Sequence, residues 1–214
     1  MTWAQVHAFS QGLDLVVPDA APQASFNIAP TQSVWTILAE DKGASAEQLR
    51  WGLVPSWARD IKAGAALINA RLETVAEKPS FRSAWKTRRC LVPASGYYEW
   101  RPEAGVKQPY WIHDAEQPMI VFGGIWENWK TPEGDWLRSF AIITTAAGDD
   151  MLELHDRTPL MLSGDVLNAW LHAGVDEAMA IAMSAPLPAL AWHPVSRAVG
   201  NPRSNGPQLV QPIA

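Results

Sequence analysis

Cysteine is almost missing from this chain: Cys90 is the only one in 214 residues. That excludes an internal disulfide and a cysteine-rich metal centre. It fits a reducing compartment, so a cytoplasmic protein is expected. No run of about 18 apolar residues occurs, and no membrane span is expected. The start, Met1-Thr2-Trp3-Ala4-Gln5, has no basic stretch leading into an apolar one and does not read as a secretory signal. Positive charge is in deficit, with 17 basic against 22 acidic residues and a formal net charge of −5. A protein that coats nucleic acid along its length is thereby excluded, because a polyanion is drawn to positive potential. Repeats, low-complexity tracts and long linkers are lacking, so nothing divides the chain. A single domain over residues 1–214 is expected, with 48% apolar residues to fill its core.

What is present is unevenly placed. From Lys78 to Arg101 six basic residues (Lys78, Arg82, Lys86, Arg88, Arg89, Arg101) meet one acid, Glu99. A basic face on an acidic body is one reading. The plainer one makes Arg82, Lys86 and Arg89 a solvated helix face. Twelve tryptophans exceed ordinary usage; most belong in a core, and some are suited to stacking on flat groups. Short apolar or alternating runs predict strands at 33–39, 49–54, 89–92, 108–113, 119–126 and 139–145. Helices are predicted at 81–87, 149–155, 165–172 (with Ser163 as N-cap) and 176–183. Many short strands with scattered helices indicate an α+β fold around a curled, barrel-like sheet flanked by short helices.

Taken singly, the polar residues that bear chemistry have ordinary explanations. His155, in Leu154-His155-Asp156-Arg157-Thr158-Pro159, reads as a buried, hydrogen-bonded histidine or as an acid–base group. Glu99, in Gly96-Tyr97-Tyr98-Glu99-Trp100, reads as the partner of an arginine or as a carboxyl whose pKa is raised by aromatic burial. Asn69, in Ile68-Asn69-Ala70-Arg71, either fixes backbone or positions a ligand. Cys90, between Arg89 and Leu91, reads as a small buried hydrophobe or as an activated thiol.

Taken together they form a pattern. Asn27-Ile28-Ala29-Pro30, Trp51-Gly52-Leu53-Val54-Pro55-Ser56-Trp57, Ile68 to Thr74, Cys90 to Trp100, Leu154 to Leu160 and Trp192 to Asn201 occur in this order. From about Asn27 onward the chain resembles the SOS-response-associated peptidase (SRAP) family. The resemblance implies one compact domain with a β-barrel-like core. It implies binding of single-stranded DNA and a covalent thiazolidine crosslink to abasic sites, with no cofactor, no metal and no obligate protein partner. It carries the active-site set to Asn69, Glu99 and His155, and pocket-shaping or DNA-holding roles to Asn27, Trp57, Arg71 and Thr144. In the family the crosslinking group is a cysteine directly after the initiator methionine, freed when that methionine is removed. Elementary chemistry agrees with these roles. An imidazole titrating near neutrality suits ring opening of the closed sugar; an N-terminal amine is partly neutral at physiological pH; a carboxylate can take its proton.

The start departs from the family pattern of methionine, cysteine, glycine and arginine. Met1 is expected to correspond to about the fifth family position, so that roughly four residues, the cysteine included, would precede it. Besides the crosslinking reading, two others stay open: a non-covalent DNA-binding module without its nucleophile, and a cysteine hydrolase using Cys90 and His155.

Overall fold

Period-two alternation of apolar residues builds the centre of the molecule. The structure, a computed structural model, describes residues 13, 15–16, 23–41, 43–103 and 105–213. Strands β2 (Ser33–Ala39) and β3 (Ala44–Trp51) form an antiparallel hairpin, after a short β1 (Leu15–Val16) that lies parallel to β3. β2 pairs with β5 (Arg89–Ala94), β5 with β8 (Ile120–Lys130), and β8 with β9 (Trp136–Ala146). β9 then meets β3 in parallel, Arg50 opposite Ser139 and Trp51 opposite Phe140. That last pairing closes a five-stranded barrel.

Alternation sorts the side chains of the barrel strands into two sets. Val34, Leu38, Leu49, Cys90, Val92, Phe122, Phe140 and Ile142 pack on one another inside. Ile37, Leu91, Val121, Ile125, Ala141 and Ile143 face outward beneath helices α1 (Arg82–Thr87), α2 (Val166–His172) and α3 (Val175–Ser184). The fold is thus a single compact α+β domain, as the sequence predicts. Gly124 shows how tightly the interior is filled: a Cβ there would lie 2.9 Å from both the Cys90 sulfur and the Ala141 carbonyl oxygen. Among the described residues no helix is long and apolar enough to cross a membrane.

Two short strands extend the barrel at one end. β4 (Asn69–Arg71) runs parallel to β9, with Asn69 opposite Ile142 and Arg71 opposite Thr144. β10 (Arg157–Pro159) is antiparallel to the same end of β9, with Pro159 opposite Thr144. β11 (Met161–Leu162) adds to β8. A separate three-stranded sheet, ordered β12 (Leu190–Pro194), β7 (Val106–Asp114), β6 (Tyr97–Glu103), stands beside that end.

The structure corrects several sequence expectations. β6 and β12 are not among the predicted strands, because as outer strands of a small sheet they have no fully buried face to impose alternation. The segment 149–155 makes only a 3-10 turn at Asp149–Met151. Ser163 does not cap α2: Gly164, in a left-handed conformation with φ 62°, intervenes, and Asp165 occupies the cap without a side-chain bond. Arg89 is not on a solvated helix face. It is buried (3% exposed), and its guanidinium donates to the carbonyls of Trp85, Trp170 and Ala173 at the ends of α1 and α2.

Candidate active site

At the end of the barrel extended by β4 and β10, a groove of about 1620 Å³ opens between the barrel mouth and β6. Three residues of β4 set one wall. Ala70 is fully buried, which fixes Asn69 and Arg71 on the opposite, exposed face, alongside Ile142 and Thr144 of β9. Glu99 comes from β6 and His155 from the turn before β10, and both line the same groove. Asn69, Glu99 and His155, far apart in sequence, therefore share one cavity. Asn27, Arg71 and Thr144 line it too; Trp57, 65% exposed on the loop after β3, does not.

Gly96 delivers Glu99 to the groove. A Cβ at this position would fall 2.3 Å from the Ile112 carbonyl oxygen, so only glycine lets β6 turn so closely onto β7. Tyr97 then packs edge-on against Phe122 of the barrel, and its hydroxyl lies 3.3 Å from that of Thr158. Burial pushes the Tyr97 phenol up to about 12, which keeps it a neutral hydrogen-bonding group. Two residues on, Glu99 sits half-buried, and no described arginine pairs with it. Burial raises its carboxyl pKa above the ordinary value, against the opposing pull of His155 and of the Trp100 N–H.

His155 is not a buried core histidine; its side chain is 43% exposed. The Arg157 N–H donates to its Nδ1 at 3.0 Å. The Arg157 carbonyl oxygen lies 3.2 Å from the same nitrogen, so the backbone of Arg157 serves Nδ1 in either tautomer, and Nε2 makes no hydrogen bond among the described residues. Asp156 Oδ1 lies 3.3 Å from Nδ1.

Arg157, which the sequence reading left unassigned, ties the site together. Its guanidinium grips Glu73 through two bonds of 2.6 and 2.9 Å and donates to the Thr144 carbonyl at 2.6 Å. That grip holds the Glu73 carboxyl below its usual range. The signal for Arg157 was its place two residues after His155; its partner, 84 residues away, left none. Asn27 is already occupied, its Nδ2 donating to the Val199 and Asn201 carbonyls at 3.0 Å each. It thereby anchors the segment that forms the far wall.

The basic run of Lys78 to Arg101 does not make one surface. Lys78 lines the groove, Arg88 pairs with Glu127, Arg101 pairs with Glu103, and Arg89 is interior. Positive charge at the groove comes instead from Arg71, Lys78 and Arg157. Cys90 lies inside the barrel and outside the groove lining, and burial raises its thiol pKa. A hydrolase built on Cys90 and His155 has no support in this arrangement.

The family model for "SOS response associated peptidase (SRAP)" matches residues 3–202. The chain is 36% identical over 203 residues to the abasic site processing protein YoqW of Bacillus subtilis, covering 93% of this chain and 91% of that one. It is 36% identical over 201 residues to the abasic site processing protein YedK of Escherichia coli, with coverages of 91% and 87%. An X-ray structure of a protein from Bacteroides thetaiotaomicron superposes with a TM-score of 0.75 at 27% identity, over 86% of this chain and 82% of that one. With its motifs in order around one groove, the chain belongs to the SOS response associated peptidase family.

Proposed function

We propose that this protein processes abasic sites in single-stranded DNA, and that its groove holds the lesion for covalent capture. The observation that carries this reading is the meeting of Asn69, Glu99 and His155 in one groove whose free positive charge is local. An abasic sugar has lost its base, so it enters a cleft with little unstacking cost. Arg71 and Lys78 are available for flanking phosphates, in keeping with an acidic protein that recognises a lesion without coating the strand. The curated relatives bear the name abasic site processing protein, which supports the same assignment.

The chemistry follows from the groups in the groove. Protonated His155 gives its Nε2 proton to the ring oxygen of the closed sugar as the C1–O bond breaks, while water takes the proton of the C1 hydroxyl, freeing the aldehyde. A primary amine then adds to the aldehyde carbon and water leaves, forming an imine; a thiol adds to that carbon and closes a thiazolidine. One water is released overall. Glu99, with a raised pKa, takes the proton that the amine gives up and returns one to the departing hydroxyl. Asn69 holds the sugar or the amine by hydrogen bonds without adding charge. In this proposal the amine and thiol belong to an N-terminal cysteine freed from its initiator methionine, as the resemblance implies. Residues 1–12 lie outside the described residues.

The test is denaturing electrophoresis of protein mixed with an abasic oligonucleotide. A protein carrying methionine-cysteine-glycine-arginine ahead of Met1 is expected to give a heat-stable shifted band, and the chain beginning at Met1 to bind without one. No band from the extended protein after confirmed methionine removal would overturn the crosslinking reading. The other reading is a non-covalent DNA-binding module, in which Cys90, sealed in the barrel, takes no part. It predicts binding without an adduct from either protein.

A further inference from the structure

The far wall of the groove, which Asn27 anchors, is fastened a second time by Asn205. Its Oδ1 accepts the Phe26 N–H at 2.8 Å, and the Phe26 carbonyl accepts the Tyr98 hydroxyl at 2.7 Å, next to Glu99. Asn27 Nδ2 meanwhile donates to the carbonyls of Val199, Asn201 and Ser204. Segments 26–27 and 199–205 are thus laced to each other and to β6 where they border the groove. The residue after Asn205 is Gly206, and no other asparagine of the chain precedes a glycine. The fold needs both members of the pair: the asparagine holds Phe26, and the next residue has φ 132°, which favours glycine. Chemically the pair is reactive, because a glycine nitrogen has no neighbouring side chain to shield it from the amide carbon before it.

We propose that Asn205-Gly206 is a site of self-modification, at which an isoaspartyl linkage forms and unties the far wall. The Gly206 nitrogen gives up its proton and bonds to Cγ of Asn205. The Cγ–Nδ2 bond breaks, and ammonia departs with that proton, leaving a cyclic imide. Water then opens the imide at one of its two carbonyls, giving aspartate or isoaspartate. Each group the reaction needs is in place. The Gly206 nitrogen lies 3.0 Å from Oδ1 and has no other hydrogen-bond partner among the described residues. The Phe26 N–H sits on the oxygen where negative charge grows as the nitrogen adds, which lowers the barrier as a donor at any oxyanion does. Asn205 is exposed, and among the described residues its Nδ2 makes no hydrogen bond to hold the departing ammonia. In the isoaspartate the main chain runs through the former side chain and is longer by a methylene, with a carboxylate where the Asn205 carbonyl stood. Oδ1 becomes a main-chain carbonyl oxygen and is drawn away from Phe26. The consequence for DNA rests on the abasic-site reading above; the modification does not.

The experiment ages the full-length protein at neutral and at mildly alkaline pH. Trypsin cleaves after Arg203 and releases Ser204–Ala214, which is followed by mass spectrometry, with isoaspartate counted by an isoaspartyl methyltransferase. Asn205 is expected to convert ahead of every other asparagine, at a rate comparable to that of the free peptide Ser204–Ala214. Conversion should be faster at the higher pH, because the attacking nitrogen must lose its proton. An Asn205 that stays intact in the folded protein while the free peptide converts would overturn the site. Untying is read by hydrogen exchange of the Phe26 amide, whose partner is Asn205 Oδ1. Exchange should quicken in the isoaspartyl form, isolated by ion exchange, and stay slow in Asn205→Asp, which has the charge and an acceptor on an unaltered backbone. Unchanged exchange in the isoaspartyl form, or an equal rise in Asn205→Asp, would overturn the untying. Binding to a single-stranded oligonucleotide carrying a tetrahydrofuran abasic analogue, which cannot crosslink, is read by fluorescence anisotropy over a salt series. The isoaspartyl form is expected to bind about fivefold more weakly than fresh protein, the worth of one hydrogen bond. Failure of fresh protein to bind at low salt would overturn the abasic-site reading, while mass and exchange still decide the modification and the untying.

Discussion

Replacing Arg89 by methionine tests whether the basic segment that carries it touches DNA or holds the fold. The native guanidinium is buried at the C-terminal ends of two helices. It donates to the Trp170 carbonyl at 2.8 Å, to that of Trp85 at 2.9 Å and to that of Ala173. It also lies 6.0 and 5.9 Å from the ring centroids of Trp85 and Trp170. Those carbonyls belong to last turns, which have no helical partner of their own, and a cation there also meets the negative ends of both helix dipoles. Each carbonyl left without a donor costs about 1–3 kcal/mol. Relief from burying the charge offsets several kcal/mol of the total. The net loss is then about 3 kcal/mol, which in a chain of this size lowers Tm by roughly 6–12 °C. Arg89→Lys should fall between, since one ammonium cannot span three carbonyls in the same geometry. Differential scanning calorimetry reads the stability, and anisotropy below the variant's melting range reads DNA binding. The salt slope should stay at the wild-type value, because no phosphate reaches this side chain. A fall in Tm below about 2 °C, or a slope reduced by a full contact, would refute the structural role.

Two further outcomes follow from the site and the barrel. Folding holds the Glu99 carboxyl pKa above its unfolded value, so the folded state binds the extra proton and stability falls as pH rises through that window. Glu99→Gln should therefore raise Tm at pH 7 and leave it near wild type at pH 4, while slowing adduct formation by the extended protein about a hundredfold; equal Tm at both pH values would refute the assignment. Cys90→Ala should lower stability by about 1–2 kcal/mol through the small void it leaves, and Cys90→Ser by about 1–3 kcal/mol through a buried hydroxyl without a partner. Both should leave adduct formation by the extended protein intact at temperatures where they are folded, and loss of the adduct with a normal melt would restore a role for the thiol.

Four of the five barrel strands were legible in the sequence through apolar runs such as those of β8 and β9, whereas β3, Ala44–Trp51, is predicted only as 49–54 because its polar Ser45 to Gln48 stretch shows no apolar face. β4 was not legible. Three residues are too few to show a period, and Asn69-Ala70-Arg71 becomes a strand only because β9 offers it an edge. The candidate site was legible as motifs and not as geometry. Nothing local announces that Asn69 and His155 share a cavity, or that Glu73 braces Arg157 across the chain. Charge was the least legible property. Lys78, Arg88 and Arg89 are near neighbours in sequence, yet they end in the groove, in an ion pair and in the interior respectively.

The closing of the barrel also orders events in time. β3 and β9 meet across almost ninety residues of chain, and in parallel, so their pairing bears a large loop-closure cost before any contact rewards it. Among the described residues β4 has no sheet partner except β9, and β10 likewise. The walls that carry Asn69, Arg71 and Arg157 are thus hung on β9, the strand whose pairing with β3 closes the ring. A nascent chain can hold the β2–β3 hairpin early, whereas DNA recognition must wait for the ring to shut. Binding of an abasic oligonucleotide would then serve as a clock for the final step of folding.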